Sequence, residues 1–407
     1  MNKKIVLFTL SMVMLSCAIA SNHITQNKQG NRDTINIPKD AIPFNYIRNH
    51  ICIRSKIDTI TGDIIFDSGA DGLYLDSIFF KTNPFGQFKY IPAILPGIGS
   101  SGGQRVEVIT DKLNYSSANF SKTFSSIPIF KLKPILGDYA DGIIGINAFS
   151  KSILEINYKD EYLRIHKDFK DIDTLKYKRI KMIRKKNRFH VPITIKIKPD
   201  LIIEDYLLLD IGSGGTVSII NDASVKYNFK DEITDKVKYF TKYGGVSGNA
   251  TCYYFMASSF EIGNYKFDSV LMDYSIDKSG ALSKQNNSIG LLGNDILDRF
   301  DVIIDFINND IYLKPNSDFN YPFQLSKLGF NYVDRSETMN SWIVTGFFEN
   351  SNAQKSGLQI DDKIISVNGK DIHNISYKEQ EELWDKIDNL VLIVIRNNKE
   401  EKIEFKL

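Results

Sequence analysis

The sequence predicts a mainly β chain in which an internally duplicated, two-lobed β unit is followed by a small α+β domain. Two short turns repeat each other, Phe66-Asp67-Ser68-Gly69-Ala70 and Leu209-Asp210-Ile211-Gly212-Ser213, and each closes an apolar run. A second pair, Asp141-Gly142-Ile143-Ile144-Gly145-Ile146-Asn147 and Ile289-Gly290-Leu291-Leu292-Gly293-Asn294-Asp295, aligns without gaps 148 residues apart. Self-similarity of this kind marks a duplicated supersecondary unit. Residues 43–57 and 189–197 alternate apolar and polar side chains with period two, as half-buried strands do.

A chain of 407 residues is long enough for two or three hydrophobic cores. Its net charge of +2 is spread over well-mixed acidic and basic residues, so nothing points to a nucleic-acid partner. The 20 Tyr and 26 Phe suit strands. Five scattered His, with no His-Glu-x-x-His and no Cys-x-x-Cys, argue against a zinc site, and no metal or cofactor is expected.

Residues 1–20 read as a signal peptide: Lys3 and Lys4 precede an apolar stretch, 5–15, too short to span a bilayer. Two cleavage sites compete. Met14-Leu15-Ser16-Cys17 resembles a bacterial lipoprotein box with Cys17 as the lipidated residue, and Ala18-Ile19-Ala20 fits ordinary signal peptidase. The lipoprotein reading is preferred, with residues 21–40 as a polar tether. The expected location is outside the cytoplasm, periplasmic or anchored by lipid to a bacterial outer membrane. Cys52 and Cys252 stand at unlike offsets from their Asp turns and are expected to be buried and unpaired.

Residues 41–170 and 171–316 form the two lobes. Each runs as strand, strand ending in Asp, glycine-rich hairpin, further strands, apolar-apolar-Gly, short helix (147–152; 295–299) and closing hairpin. A buried strand that ends on a carboxylate followed by a glycine turn projects that carboxylate at a fixed angle. Two such units can bring Asp67 and Asp210 face to face, an arrangement that splits water between a base and an acid.

These motifs resemble the pepsin and retropepsin superfamily of aspartic peptidases over residues 40–316. Asp67-Ser68-Gly69-Ala70 matches the family's Asp-Ser/Thr-Gly-Ala/Ser motif, and Asp141-Gly142-Ile143-Ile144-Gly145 its Asp-Gly-Ile-hydrophobic-Gly element. The resemblance implies a two-lobed β-barrel endopeptidase acting on peptides or proteins. Asp67 and Asp210 would be catalytic, and Ser68, Gly69, Ala70, Gly212 and Ser213 would shape the turns. Such a pair shares one proton because like charges a few Å apart cannot both ionise. Ser213, three residues after Asp210, is expected to hydrogen-bond that carboxylate and make Asp210 the ionised partner. At the family's flap positions stand Gly97, Gly99, Gly102 and Gly103 in one half, and Gly244, Gly245 and Gly248 in the other; glycine permits closure over an extended substrate. One departure stands out. Ile211 occupies the place of the second Ser/Thr, so Ser68 can lock the two Asp loops from one side only.

From residue 328 the texture changes. Ser351-Asn352-Ala353-Gln354-Lys355-Ser356-Gly357-Leu358, followed by Ile360-Asp361-Asp362-Lys363 and Asn368-Gly369, resembles a PDZ domain, here 328–407, joined through a short linker at 316–327. The resemblance implies a groove helix at 375–387, strands at 390–395 and 402–407, and capture of a peptide C-terminus by the loop Leu328-Gly329-Phe330. Two other readings stay open. A peptidase fold with Ile211 in its turn can serve as an inactive or weakly active exported peptide-binding module. A trypsin-like serine peptidase with a PDZ domain would use His50, Asp67 and Ser213. That last reading has Ile211 where the nucleophile loop needs Gly, and it leaves the repeat unexplained.

Overall fold

The computed structural model describes residues 37–95, 97, 103–246, 248–284 and 288–407. The expected signal peptide, the lipidation candidate Cys17, most of the expected tether, and the flap candidates Gly99 and Gly102 lie outside the described residues.

In the first lobe His50–Ile57 and Ile60–Asp67 form an antiparallel hairpin. Gly142–Gly145 slots in beside it, parallel to Ile60–Asp67 with Ile144 opposite Phe66 and Gly145 opposite Asp67, and antiparallel to Leu73–Asp76. A strand with neighbours on both edges and cores on both faces must be apolar throughout. Accordingly Ile143 and Ile144 are both fully buried, in different clusters. The second lobe repeats the pattern. Arg188–Lys198 pairs with Leu201–Leu209, and Gly290–Leu292 lies parallel to the latter and antiparallel to Val217–Ile219.

The closing hairpins of both halves join in a single six-stranded sheet, with Leu154 opposite Ile304 and Ile156 opposite Val302. Leu154, Ile156, Leu163, Val302, Ile304, Ile311 and Leu313 line one face of it, so the lobes share a core. The helices expected at 147–152 and 295–299 are shorter, a 3-10 turn at Ile146–Ala148 and one α turn at Asn294–Leu297. In the first lobe Ser150 Oγ and Ser152 Oγ bond back to the carbonyls of Asn147 and Phe149. Such local bonds compete with helix propagation.

The expected linker at 316–327 is not a free tether. Phe323 is buried in the second-lobe core, the Arg299 guanidinium lies 3.7 Å over its ring, and Lys159 pairs with Asp318 at 2.9 Å. Beyond it Phe330–Arg335, Ser341–Phe348, Lys363–Val367, Asn389–Arg396 and Lys399–Lys406 enclose a separate core around Trp342, Trp384 and Leu392. The helix Tyr377–Lys386 starts from a capping box, Ser376 with Glu379. Asp361 takes the left-handed conformation of a turn glycine, φ +71°. Cys52 and Cys252 are buried and form no disulfide.

Candidate active site

Both strands that end the apolar runs deliver their aspartates to one place. Asp67 and Asp210 are fully buried. Asp67 Oδ1 accepts the Gly69 and Ala70 amides at 2.6 and 3.1 Å. Asp67 Oδ2 and both Asp210 oxygens have no well-placed donor among the described residues. The turn of the second lobe lies directly on the first carboxyl, for a Cβ added at Gly212 would fall 2.2 Å from Asp67 Cγ. The two carboxyls lie close enough for the charge of Asp67 to bear on Asp210.

Burial raises Asp67 to about 7, against the opposing pull of the Gly69 amide and the Arg188 charge. Burial, then the charge of Asp67, holds Asp210 well above the usual carboxylate range. Two turn amides favour the ionised form at Asp67, while the charge of Asp67 disfavours it at Asp210. Ser213 does not supply the bond expected of it. Neither Asp210 oxygen accepts a bond from Ser213, whose Oγ stands 2.8 Å from where a Gly293 Cβ would be. The amides instead converge on Asp67.

The one-sided lock is in place. Ser68 Oγ donates to the Leu209 carbonyl at 2.8 Å and accepts the Ile211 amide at 2.9 Å. Ile211 is buried in the second-lobe core and has no hydroxyl to return the bond. Three residues not expected at the site brace the turns. Asn294 Nδ2 donates to the Ile211 carbonyl at 2.6 Å and across the lobes to the Asn49 carbonyl at 2.7 Å. Asn49 Nδ2 reaches the Gly214 carbonyl at 2.9 Å. Arg188, from the second lobe, pairs with Asp71 of the first at 2.5 Å. Asn294 was detectable, since it is a polar residue where the aligned repeat has Ile146.

The apolar-apolar-Gly segments hold each turn from behind. The Gly145 amide bonds the Gly72 carbonyl at 2.7 Å, and the Gly293 amide the Thr216 carbonyl at 2.8 Å. A Cβ at Gly145 would fall 2.5 Å from the Ala70 carbonyl oxygen, and one at Gly293 2.3 Å from that of Gly215, so glycine is required at both.

Each glycine-rich hairpin reaches the opposite lobe. The carbonyl of Gly97 accepts the Ala281 amide at 3.0 Å, and Gly103 closes the first hairpin at φ +137°. In the second lobe Gly244 and Gly245 end the strand Val237–Gly245, and Gly245 pairs with Gly248. Between them Val246 is buried in a first-lobe cluster with Ala70, Tyr74, Phe130 and Tyr139. The serine-peptidase arrangement does not form. His50 Nδ1 meets the Tyr139 hydroxyl at 3.3 Å, burial and Arg48 depress the ring to about 4, and Asp67 is engaged by its own turn amides.

In the C-terminal domain Leu328 and Phe330 are buried, Gly329 adopts φ +73°, and the Leu328 amide donates to Ser326 Oγ at 3.3 Å. Residues 319–396 match the family described as PDZ domain. The chain thus carries a PDZ domain, a module that binds peptides or proteins. A comparison with curated proteins finds no match.

Proposed function

We propose that the chain is an aspartic endopeptidase whose PDZ domain binds peptide or substrate C-termini. The observation that carries the reading is a pair of buried carboxyls from duplicated turns that meet across the lobes, with three of their oxygens lacking a donor among the described residues. Ionised Asp67 takes a proton from a water as that water attacks the peptide carbonyl carbon. Asp210 donates a hydrogen bond to the carbonyl oxygen and stabilises its developing negative charge. The proton gained by Asp67 then passes to the leaving nitrogen as the C–N bond breaks, and the shared-proton pair is restored. The hairpins at Gly97–Gly103 and Gly244–Gly248 would close on an extended substrate. No metal or cofactor enters this scheme. An exported, lipid-anchored form with Cys17 as the anchor belongs to the same reading.

Pepstatin-sensitive cleavage of an unfolded protein by the purified chain tests it. Cleavage that pepstatin leaves untouched rejects an aspartic mechanism. The second reading, a peptide-binding module without turnover, is favoured by Ile211. It predicts no cleavage from the wild type or from Ile211→Thr, whereas a loosely locked enzyme speeds up when the second hydroxyl is supplied.

A further inference from the structure

The PDZ domain is fastened to the two lobes in unlike ways. It is welded to the second. Ser341–Phe348 extends the sheet of Val237–Gly245, with Tyr239 opposite Phe348, Phe240 opposite Phe347 and Thr241 opposite Gly346. The Phe348 ring packs 5.1 Å from Tyr239 and 5.4 Å from Tyr254. The strand so extended is the one that runs into Val246, the hairpin tip buried in the first lobe.

Its hold on the first lobe is polar and falls on the outer edge of Phe330–Arg335, whose inner edge pairs with Ser341–Phe348. Arg48 Nη1 donates to the Tyr332 carbonyl at 3.0 Å, and the Asp138 amide donates to the Asp334 carbonyl at 2.9 Å. The Asp138 carboxylate takes Arg335 Nε at 2.8 Å. The helix Tyr377–Lys386 flanks this edge through Gln380, which bonds both Tyr332 and Asp334. The edge between strand and helix is where an extended peptide would add as a further strand. Here the first lobe already uses its carbonyls. Tyr139, next to Asp138, stacks edge-on with Tyr377 at 5.3 Å and shares its buried cluster with Val246.

We propose that the PDZ groove is a regulatory site held shut in cis by the first lobe, and that an extended peptide with a free C-terminal carboxylate opens it. Entry displaces Arg48 and the Asp138 amide from the strand edge and loosens Tyr377 from Tyr139. The PDZ domain, welded to the Val246 hairpin, then draws that tip away from the first lobe and uncovers Asp67 and Asp210. The purpose of the switch rests on the peptidase reading; the switch itself does not.

The test is hydrogen exchange, followed by mass spectrometry, on the full chain. The probes are a peptide of about ten residues ending in free Val and the same peptide as its C-terminal amide. The free acid should protect residues 330–335 while raising exchange at 138–139 and 244–246, and the amide should do neither. Arg48→Ala, which removes the competing donor, should bind the free acid about fivefold or more tighter than wild type. Protection of 330–335 with no change at 138–139 and 246 overturns the proposal, as does equal affinity in Arg48→Ala or the absence of binding in both proteins. Raised exchange without hydrolysis of any substrate leaves the switch standing and removes the peptidase reading.

Discussion

Asp67 and Asp210 differ in what surrounds them, and that difference orders their protons. The charge of Arg188 favours the ionised form of both, but the Gly69 and Ala70 amides bond Asp67, whereas Asp210 has only the Gly212 amide and faces the charge of Asp67. Activity should rise as Asp67 loses its proton near pH 7 and fall at higher pH once Asp210 ionises. Arg188→Ala removes the positive charge and should move the acid limb of the pH–rate profile upward, whereas Ser213→Ala should leave it in place. A carboxyl whose pKa is raised by folding stabilises the fold fully below its unfolded pKa, near 4, and loses that contribution as pH climbs through the folded value. Asp210→Asn should therefore match the wild type in thermal unfolding at pH 4 and exceed it at pH 8. The identity of the two aspartates was legible from the repeat. Their proton order was not, because it depends on which backbone amides turn toward which oxygen and on Arg188, 22 residues before Asp210 in sequence.

At the scale of elements, the duplicated strand–turn–strand units are held by glycines with no room for a side chain and by Asn294. Gly212→Ala would drive a methyl into the Asp67 carboxyl. It should abolish activity and cost about 1–3 kcal/mol of stability, as overpacking does, read by denaturant unfolding and rate together. Asn294→Ala leaves the Ile211 and Asn49 carbonyls without their donor. It should lower stability by about 1–3 kcal/mol and lower kcat more than it raises KM, because the turns lose their cross-lobe brace. Strands, the buried apolar-apolar-Gly segments and turn chemistry were readable from period two, from Ile143-Ile144 and Leu291-Leu292, and from Asp-x-Gly; that those segments insert as parallel strands was not. The short helices were not, since the serine bonds that curtail the first are contacts between side chain and backbone that periodicity does not report.

For the whole molecule, the PDZ domain continues the second lobe's sheet. A cut after Pro315 would expose the edge of Val237–Gly245 and the rings of Tyr239 and Tyr254. It would also remove Phe323, Phe319 and Leu325 from the second-lobe core. Unpaired apolar strand edges invite association. The truncated chain should melt lower than the full chain and elute larger than its monomer mass on size exclusion. The presence of this domain was visible in Gly357-Leu358 and Asn368-Gly369. Its docking was not, because pairing of Thr241 with Gly346 and of Asp138 with Arg335 joins residues more than 100 positions apart with no local pattern to announce it. The two Asp turns meet across the lobes, and the central claim is that their carboxyls act together on one water. Its most direct test is hydrolysis of an unfolded protein by wild type, Asp67→Asn and Asp210→Asn side by side, with thermal unfolding of each. The account predicts cleavage by the wild type alone, from three proteins that all unfold cooperatively. Substantial turnover by either variant would contradict it.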